Sequence, residues 1–259
     1  MEIILSIAGS DPSAGAGIQQ DLKTITALGG YGATVITALT SQSTMGVSDV
    51  MPVPARTVRT QFSDLAGDMT IAAIKIGQIP NLEVAQTVVG MLSEYLTTHA
   101  VPIVCDPIMV STSGHPMMQP DCVRYVAENL FPLCRLVTPN LPETETLLGA
   151  TMTDTEVAGR ALADRYGAAF LIKGGHALGA QSTDLLVDTD GSLHRYETPR
   201  IESRNLHGTG CTLSSAIATR LAQGADLPQA VADAKQFVRQ AIERGKSWTI
   251  GHGNGPLRL

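Results

Sequence analysis

Residues 3–39, IILSIAGSDPSAGAGIQQDLKTITALGGYGATVITAL, decide the fold class. Ile3–Ala8 is an apolar run of strand length and reads as a strand buried on both faces. Gly9–Gly17 follows as a loop of small residues. Ile18–Leu28 then places Ile18, Leu22 and Ile25 on one helical face and stops at Gly29-Gly30. Ala33–Leu39 is a second apolar run of strand length. A strand, a crossover helix and a second strand make a parallel unit, because the helix returns the chain to the edge where the first strand began.

The same alternation continues outward. Ile71–Ile76 reads as a third strand, followed by a helix capped by Asn81 and running to about His99, with Val84, Val88, Leu92 and Leu96 inward. Val101–Cys105 is a strand closing on Asp106-Pro107, a helix lies near Cys122–Asn129, and Leu136–Thr138 is a short strand leading into Pro139-Asn140. Thr155–Tyr166 reads as a helix and Ala168–Lys173 as a strand. Leu185–Val187 and Leu193–Tyr196 pair around Asp190-Gly191. Thr209–Gln223 and Pro228–Arg244 close the chain as helices, before a loop-like tail at Gly251–Leu259. The expectation is an α/β fold with a mostly parallel sheet covered on both faces, in one domain spanning residues 1–259. In such sheets ligands bind at the carboxyl ends of the strands. Asp106, Asn140, Lys173 and the first loop should share that edge.

Composition narrows the partners. With 259 residues, 44% hydrophobic, 16% charged and a net charge of -6, the chain has enough apolar sequence for a large core and no basic cluster. Nucleic acid and anionic membranes are excluded as expected partners. The cysteines Cys105, Cys122, Cys134 and Cys211 form no C-x-x-C pair, and Met1–Ala8 lacks the pattern of a leader segment. A reducing cytoplasm is the expected setting.

The sharpest chemical signal is His207-Gly208-Thr209-Gly210-Cys211-Thr212, opening an apolar helix with Leu213, Ile217 and Leu221. Glycines allow close backbone approach, and a helix start offers unpaired N–H groups to an anion such as phosphate. Cys211 sits in the first turn, where a thiol pKa is expected to fall. The bland alternative is a capped helix with an inert cysteine. Lys173 is either a phosphate-neutralising charge or an exposed strand end. Asn140 and Glu143, in Thr-Pro-Asn-Leu-Pro-Glu, have the spacing of a capping box and also the oxygens to orient Mg²⁺ through water, and Asp106 offers a further carboxylate. Asp21 and Gln42 are candidate partners for a polar substrate edge, or ordinary surface. The first loop has Gln20 where a dinucleotide-binding G-x-G-x-x-G needs its last glycine, which counts against an oxidoreductase.

Together the motifs resemble the hydroxymethylpyrimidine/phosphomethylpyrimidine kinases of thiamine synthesis. Those that carry the resemblance are Ile7–Ser13 with Gly15–Gln19, Asp21–Thr24, Val35–Leu39, Lys75–Gly77, Asp106–Val110 with Ser113-Gly114, Thr138–Glu143, Ile172–His176, His207–Ser214 and the tail Gly251-His252-Gly253 with Gly255-Pro256. The resemblance covers nearly the whole chain. It implies a ribokinase-like three-layer α/β/α sandwich, a homodimer, ATP and Mg²⁺ as cofactors, and phosphorylation of 4-amino-5-hydroxymethyl-2-methylpyrimidine and then of its monophosphate. By the same resemblance, Gln42, Gly9 and the loop at Ala16 hold the pyrimidine, with Asp21 and Ile108 lining its pocket. Cys211 assists deprotonation of the hydroxyl, Gly208 and Gly210 form the anion hole, and Thr209, Lys173 and Asn140 face the nucleotide. Asp106 and Glu143 serve the metal. One position departs: Gln78 stands where the family carries methionine, placing an amide in the pyrimidine wall. A pyridoxal kinase of vitamin B6 salvage, and a non-catalytic pyrimidine-binding protein of the same fold, are the competing readings.

Overall fold

The computed structural model describes residues 1–111, 114–175 and 179–259; Ser113 and His176, quoted above within motifs, lie outside the described residues. In chain order the elements are β1 (Ile3–Ser10), α1 (Gly17–Ala27), β2 (Tyr31–Ser43), β3 (Gly46–Pro52), α2 (Ala55–Asp68), β4 (Ile71–Ile76), α3 (Leu82–Tyr95), β5 (Ile103–Cys105), α4 (Pro120–Asn129), β6 (Leu136–Val137), α5 (Leu141–Leu148), α6 (Thr155–Tyr166), β7 (Ala169–Lys173), β8 (Gln181–Val187), β9 (Leu193–Pro199), α7 (Thr209–Ala222) and α8 (Leu227–Gly245). They build one sheet in the order β3-β2-β1-β4-β5-β6-β7-β8-β9. The strands from β2 to β7 in that order pair parallel, while β3 at one end and β8 and β9 at the other pair antiparallel.

The sheet is covered on both faces, which is why its central strands are continuously apolar. Alternation along β1 sends Leu5 and Ile7 into one core and Ile4 into the other. The first core packs the sheet against α2, α3, α4 and α6 through residues such as Phe62, Val88, Val126 and Leu162. The second packs it against α1, α7 and α8 through Ile25, Ile217 and Val231. The result is the expected α/β/α sandwich.

Strand order reverses direction at β1, whose neighbours are β2 on one side and β4 on the other. A doubly wound sheet opens a crevice at the carboxyl ends of the strands flanking such a switch point. Here those ends are Gly9 of β1 and Gln78 just past β4. A Cβ on Gly9 would lie 2.1 Å from Gln78 Oε1, so the two strand ends nearly touch.

Several boundaries differ from expectation. β2 continues to Ser43, so Gln42 lies within the strand rather than after it. α3 ends at Tyr95, not His99, and the chain closes in turns there, with His99 stacked on the Tyr95 ring. β3 and α2 have no clear sequence signature. β3 is an edge strand exposed along most of its length, so it lacks alternation. α2 buries only Val58 and Phe62 and has no side-chain cap.

Candidate active site

A cleft of about 580 Å³ runs along the carboxyl edge of the sheet. Its walls include Gly9 and Ala16 from the first loop, Gln42 from β2, Gln78 after β4, and Asp106 and Ile108 after β5. Asn140 and Glu143 at the start of α5, Lys173 at the end of β7, and Gly208, Thr209, Gly210 and Cys211 at the start of α7 complete the expected set. The sheet order puts the loop around Gly9 and Gln42 toward one end and β8 and β9 toward the other.

The start of α7 lies between these ends. Gly208 has φ +85°, and a Cβ there would fall 1.9 Å from the Gly15 carbonyl oxygen, so no larger residue fits without moving the backbone. Thr209, Gly210 and Cys211 then form a first turn without a side-chain cap; the Thr209 N–H donates to the Leu206 carbonyl at 3.2 Å, and the Gly210 and Cys211 N–H groups are left for a ligand. Beside this turn Lys173 Nζ donates to Asp106 Oδ1 at 2.6 Å, and a Cβ on Gly210 would sit 3.0 Å from Asp106 Oδ2. The Lys173 pKa is raised: burial opposes the charge, but Asp106 and Glu143 outweigh it. The lysine is therefore neither an exposed strand end nor a neutral amine.

The thiol corrects the expectation from helix position. Burial pushes Cys211 up to about 11; Lys75 pulls the thiol down, while Asp21 and Asp106 oppose that pull. Cys211 is held as a neutral thiol, and burial outweighs the first-turn effect.

Asn140 and Glu143 form the full capping box of α5: Asn140 Oδ1 accepts from the Glu143 N–H at 2.9 Å, and Glu143 Oε2 accepts from the Asn140 N–H at 2.8 Å. Both also face the cleft, so the structural and site placements coexist. Burial pushes the Glu143 carboxyl up to about 7; Lys173 pulls it down, Asp106 raises it, and the Asn140 and Met109 N–H groups lower it. Among the described residues no three His, Cys, Asp or Glu side chains converge as a metal cluster. The donors at hand are the two carboxylates Asp106 and Glu143, a set suited to a hard cation that keeps most of its waters.

The raised Glu143 pKa has a measurable sign. The folded protein holds this proton above the ordinary 4.5, so between about 4.5 and 7 it binds more protons than the unfolded chain. Stability from this group therefore falls as pH rises through that window. Glu143→Gln keeps an N3 acceptor and removes the titration. In chelator-treated samples, urea unfolding at about pH 5 and about pH 8 is expected to show the variant gaining on the parent at the higher pH. Parallel stabilities would contradict the assignment.

Asp21 does not reach the cleft. It is fully buried, and its carboxylate is taken up by Lys75 Nζ at 2.8 and 2.9 Å, Ser6 Oγ at 2.6 Å and Ser215 Oγ at 2.7 Å. It ties α1, β1, β4 and α7 together beneath the cleft floor, so the expectation that it meets substrate is corrected. A lone aspartate in an amphipathic helix gave no sign of this.

Three site features carried no decisive sequence signal. Lys75 is fully buried and floors the cleft. His207 joins Asp11 and Gln42. Toward β9, the wall contains Leu213, Val238 and Ile242, whose spacing on α7 and α8 reads as ordinary core. There Lys235 Nζ meets Asp184 Oδ2 at 2.6 Å, and Asp184 Oδ1 accepts from the Gly174 N–H at 2.9 Å, fixing the turn after Lys173. The tail also returns to the site: Asn254 lines the cleft and donates its N–H to the Thr44 carbonyl.

Fold and cleft have the form of the ribokinase-like small-molecule kinases. The Staphylococcus aureus pyridoxal kinase in complex with AMP-PCP and pyridoxal superposes with a TM-score of 0.86 at 32% identity, covering 99% of this chain and 93% of that one. Residues 11–258 match the family model described as phosphomethylpyrimidine kinase, and the chain belongs to that family. It is a phosphotransferase. A hydroxymethylpyrimidine/phosphomethylpyrimidine kinase of Rhizobium meliloti is 46% identical over 98% of this chain and 96% of its own length. The thiamine biosynthesis bifunctional protein ThiED of Geobacter sulfurreducens is 44% identical over 98% of this chain, which spans only 51% of that protein.

Proposed function

We propose that this chain moves the γ-phosphate of ATP onto the hydroxyl of 4-amino-5-hydroxymethyl-2-methylpyrimidine, and then phosphorylates the monophosphate to the diphosphate. The observation that carries this reading is the α7 start, set between a polar end at Gly9, Gln42 and Gln78 and an apolar end at Val238 and Ile242. A nucleotide lying along β8 and β9 would bring its terminal phosphate to the N–H groups of Gly210 and Cys211, opposite the hydroxyl of a pyrimidine at the polar end. Phosphoryl transfer asks mainly for such positioning and for stabilisation of moving charge. Gly208 and Gly210 shape the anion hole, Lys173 neutralises phosphate oxygens, and Asn140 faces the nucleotide. Ala16, Gly9, Ile108 and Gln78 wall the pyrimidine. Mg²⁺ fits Asp106 and Glu143, where it would neutralise phosphate charge.

Cys211, held as a neutral thiol, acts as a hydrogen-bonding neighbour of the substrate hydroxyl rather than as a resting thiolate. Cys211→Ala is expected to lose most turnover, about 10²-fold or more, while substrate dissociation constants stay within about threefold. Unchanged turnover would reject the role.

One continuous sheet supports reading residues 1–259 as a single kinase unit. Leu39, Met45 and Met51, exposed by 43%, 70% and 54% on the β2–β3 hairpin, support a homodimer that covers this edge. Four free cysteines fit a reducing, cytoplasmic setting. Among the described residues no helix is long and apolar enough to cross a membrane. The fold shared with a pyridoxal kinase makes pyridoxal the necessary comparison substrate. A coupled ADP-release assay tests the reading: release that depends on the pyrimidine alcohol supports it, release with pyridoxal alone moves the chain to the B6 reading, and binding without release supports a non-catalytic binding protein.

A further inference from the structure

We propose that His207, held by Asp11, is a positioning residue for substrate selection: it locks the Gln42 amide so that one N–H and one oxygen lone pair face the cleft side by side. The inference rests on the pyrimidine reading above.

Four contacts carry it. His207 Nε2 lies 2.8 Å from Asp11 Oδ2 and 3.0 Å from the Gln42 amide nitrogen position. Thr40 Oγ1 lies 2.9 Å from the Ser10 carbonyl oxygen and 3.2 Å from the Gln42 amide oxygen position. Asp11 is 2% exposed and surrounded by donors: the Ser13 N–H and hydroxyl on one oxygen, and the Gly15 and Ala16 N–H groups on the other. Burial raises its pKa, but the bonds from His207, Ser13 and Ala16 outweigh this and hold it below the ordinary value, so it is an ionised acceptor. Nε2 of His207 must then carry a proton.

A protonated Nε2 cannot accept from an amide N–H. Thr40 has one hydroxyl proton, and the Ser10 carbonyl can only accept it, so Thr40 cannot also donate to Gln42. Both conflicts vanish together if the amide is turned by half a turn, exchanging its oxygen and nitrogen. Gln42 Oε1 and Asp11 Oδ2 then share the single Nε2 proton of His207 in a three-centre bond, and one Gln42 N–H donates to Thr40. What remains for a ligand is the second N–H and the second lone pair. The ring is fixed from its backbone too, since the His207 N–H donates to the Gly255 carbonyl at 3.0 Å.

That remaining pair complements a ring nitrogen next to an exocyclic amino group. An aminopyrimidine has this edge. Pyridoxal does not, because its ring nitrogen is flanked by a methyl group and a C–H. Without His207 the amide turns freely and the preference for the amino group weakens.

The test compares 4-amino-5-hydroxymethyl-2-methylpyrimidine with its analogue lacking the amino group, by kcat/KM and by dissociation constant. His207→Ala is expected to reduce the preference for the amino substrate about 10- to 100-fold, mainly through KM, with KM for ATP unchanged. His207→Gln, whose amide nitrogen reaches the place of Nε2, is expected to restore it, and Thr40→Val to weaken it by a smaller factor. In a Gln42→Ala background, His207→Ala is expected to leave the preference unaltered. Equal losses for both substrates, or an effect that persists without Gln42, would overturn the relay. A parent enzyme that neither binds nor phosphorylates the amino substrate would instead overturn the function reading, and the relay with it.

Discussion

Lys75→Met is expected to lower the unfolding free energy by about 3–5 kcal/mol, the cost of leaving a buried charge without its partner. Lys75 and Asp21 are both fully buried and meet at 2.8 Å. Removing the ammonium leaves the Asp21 carboxylate with only the Ser6 and Ser215 hydroxyls. Burial works against the lysine charge, yet Asp21 outweighs it and raises the pKa above the ordinary 10.5. The stability this contributes is fully present below that ordinary value and is lost only as pH rises through the still higher folded value. The double variant Lys75→Met, Asp21→Asn is expected to recover much of the loss, because the stranded charge is gone. Urea unfolding at neutral pH checks both. A single-variant loss below about 1 kcal/mol would mean that the pair is hydrated rather than buried.

Gly208→Ala is expected to reduce kcat about 10²- to 10³-fold, the scale seen when a donor aimed at developing negative charge is displaced. Two constraints coincide at this residue. Its φ of +85° costs any side chain about 1–2 kcal/mol. The added Cβ would also fall 1.9 Å from the Gly15 carbonyl oxygen, so the start of α7 must shift away from the first loop. A matched control is Gly149, which has φ +69° and nothing within 4 Å of a Cβ. Gly149→Ala carries the conformational cost without the displacement. It is expected to lower stability and leave turnover intact. Equal turnover in the two variants would show that the position of the α7 start does not matter to catalysis.

The contrast between these glycines shows what a sequence exposes. The alternation of strands and helices was legible because the buried strands are continuously apolar and the helices between them end in glycine or caps. Thr155–Tyr166 matches its expected bounds because Asp154 caps it and Gly167 ends it in a left-handed turn. The glycines before Cys211, Lys173 at the end of its strand, and the Asn140–Glu143 spacing likewise reported their places, since each follows from position along one element. What stayed hidden depends on burial and on partners distant in sequence. Cys211 looks activated in its helix turn and is not, because burial holds its thiol neutral. Asp21 looks available and is not, because its partners Lys75 and Ser215 come from 54 and 194 residues away. His207 gains its meaning only when Asp11, 196 residues away, closes on it.

The proposed reaction transfers phosphate from ATP to a hydroxymethylpyrimidine twice. The most direct test is a time course with Mg-ATP and 4-amino-5-hydroxymethyl-2-methylpyrimidine, with products resolved by mass alongside ADP. A monophosphate is expected to rise first and then give way to a diphosphate, with one ADP formed for each phosphate transferred. Phosphorylation of pyridoxal in a parallel reaction, with the pyrimidine left unchanged, would contradict it.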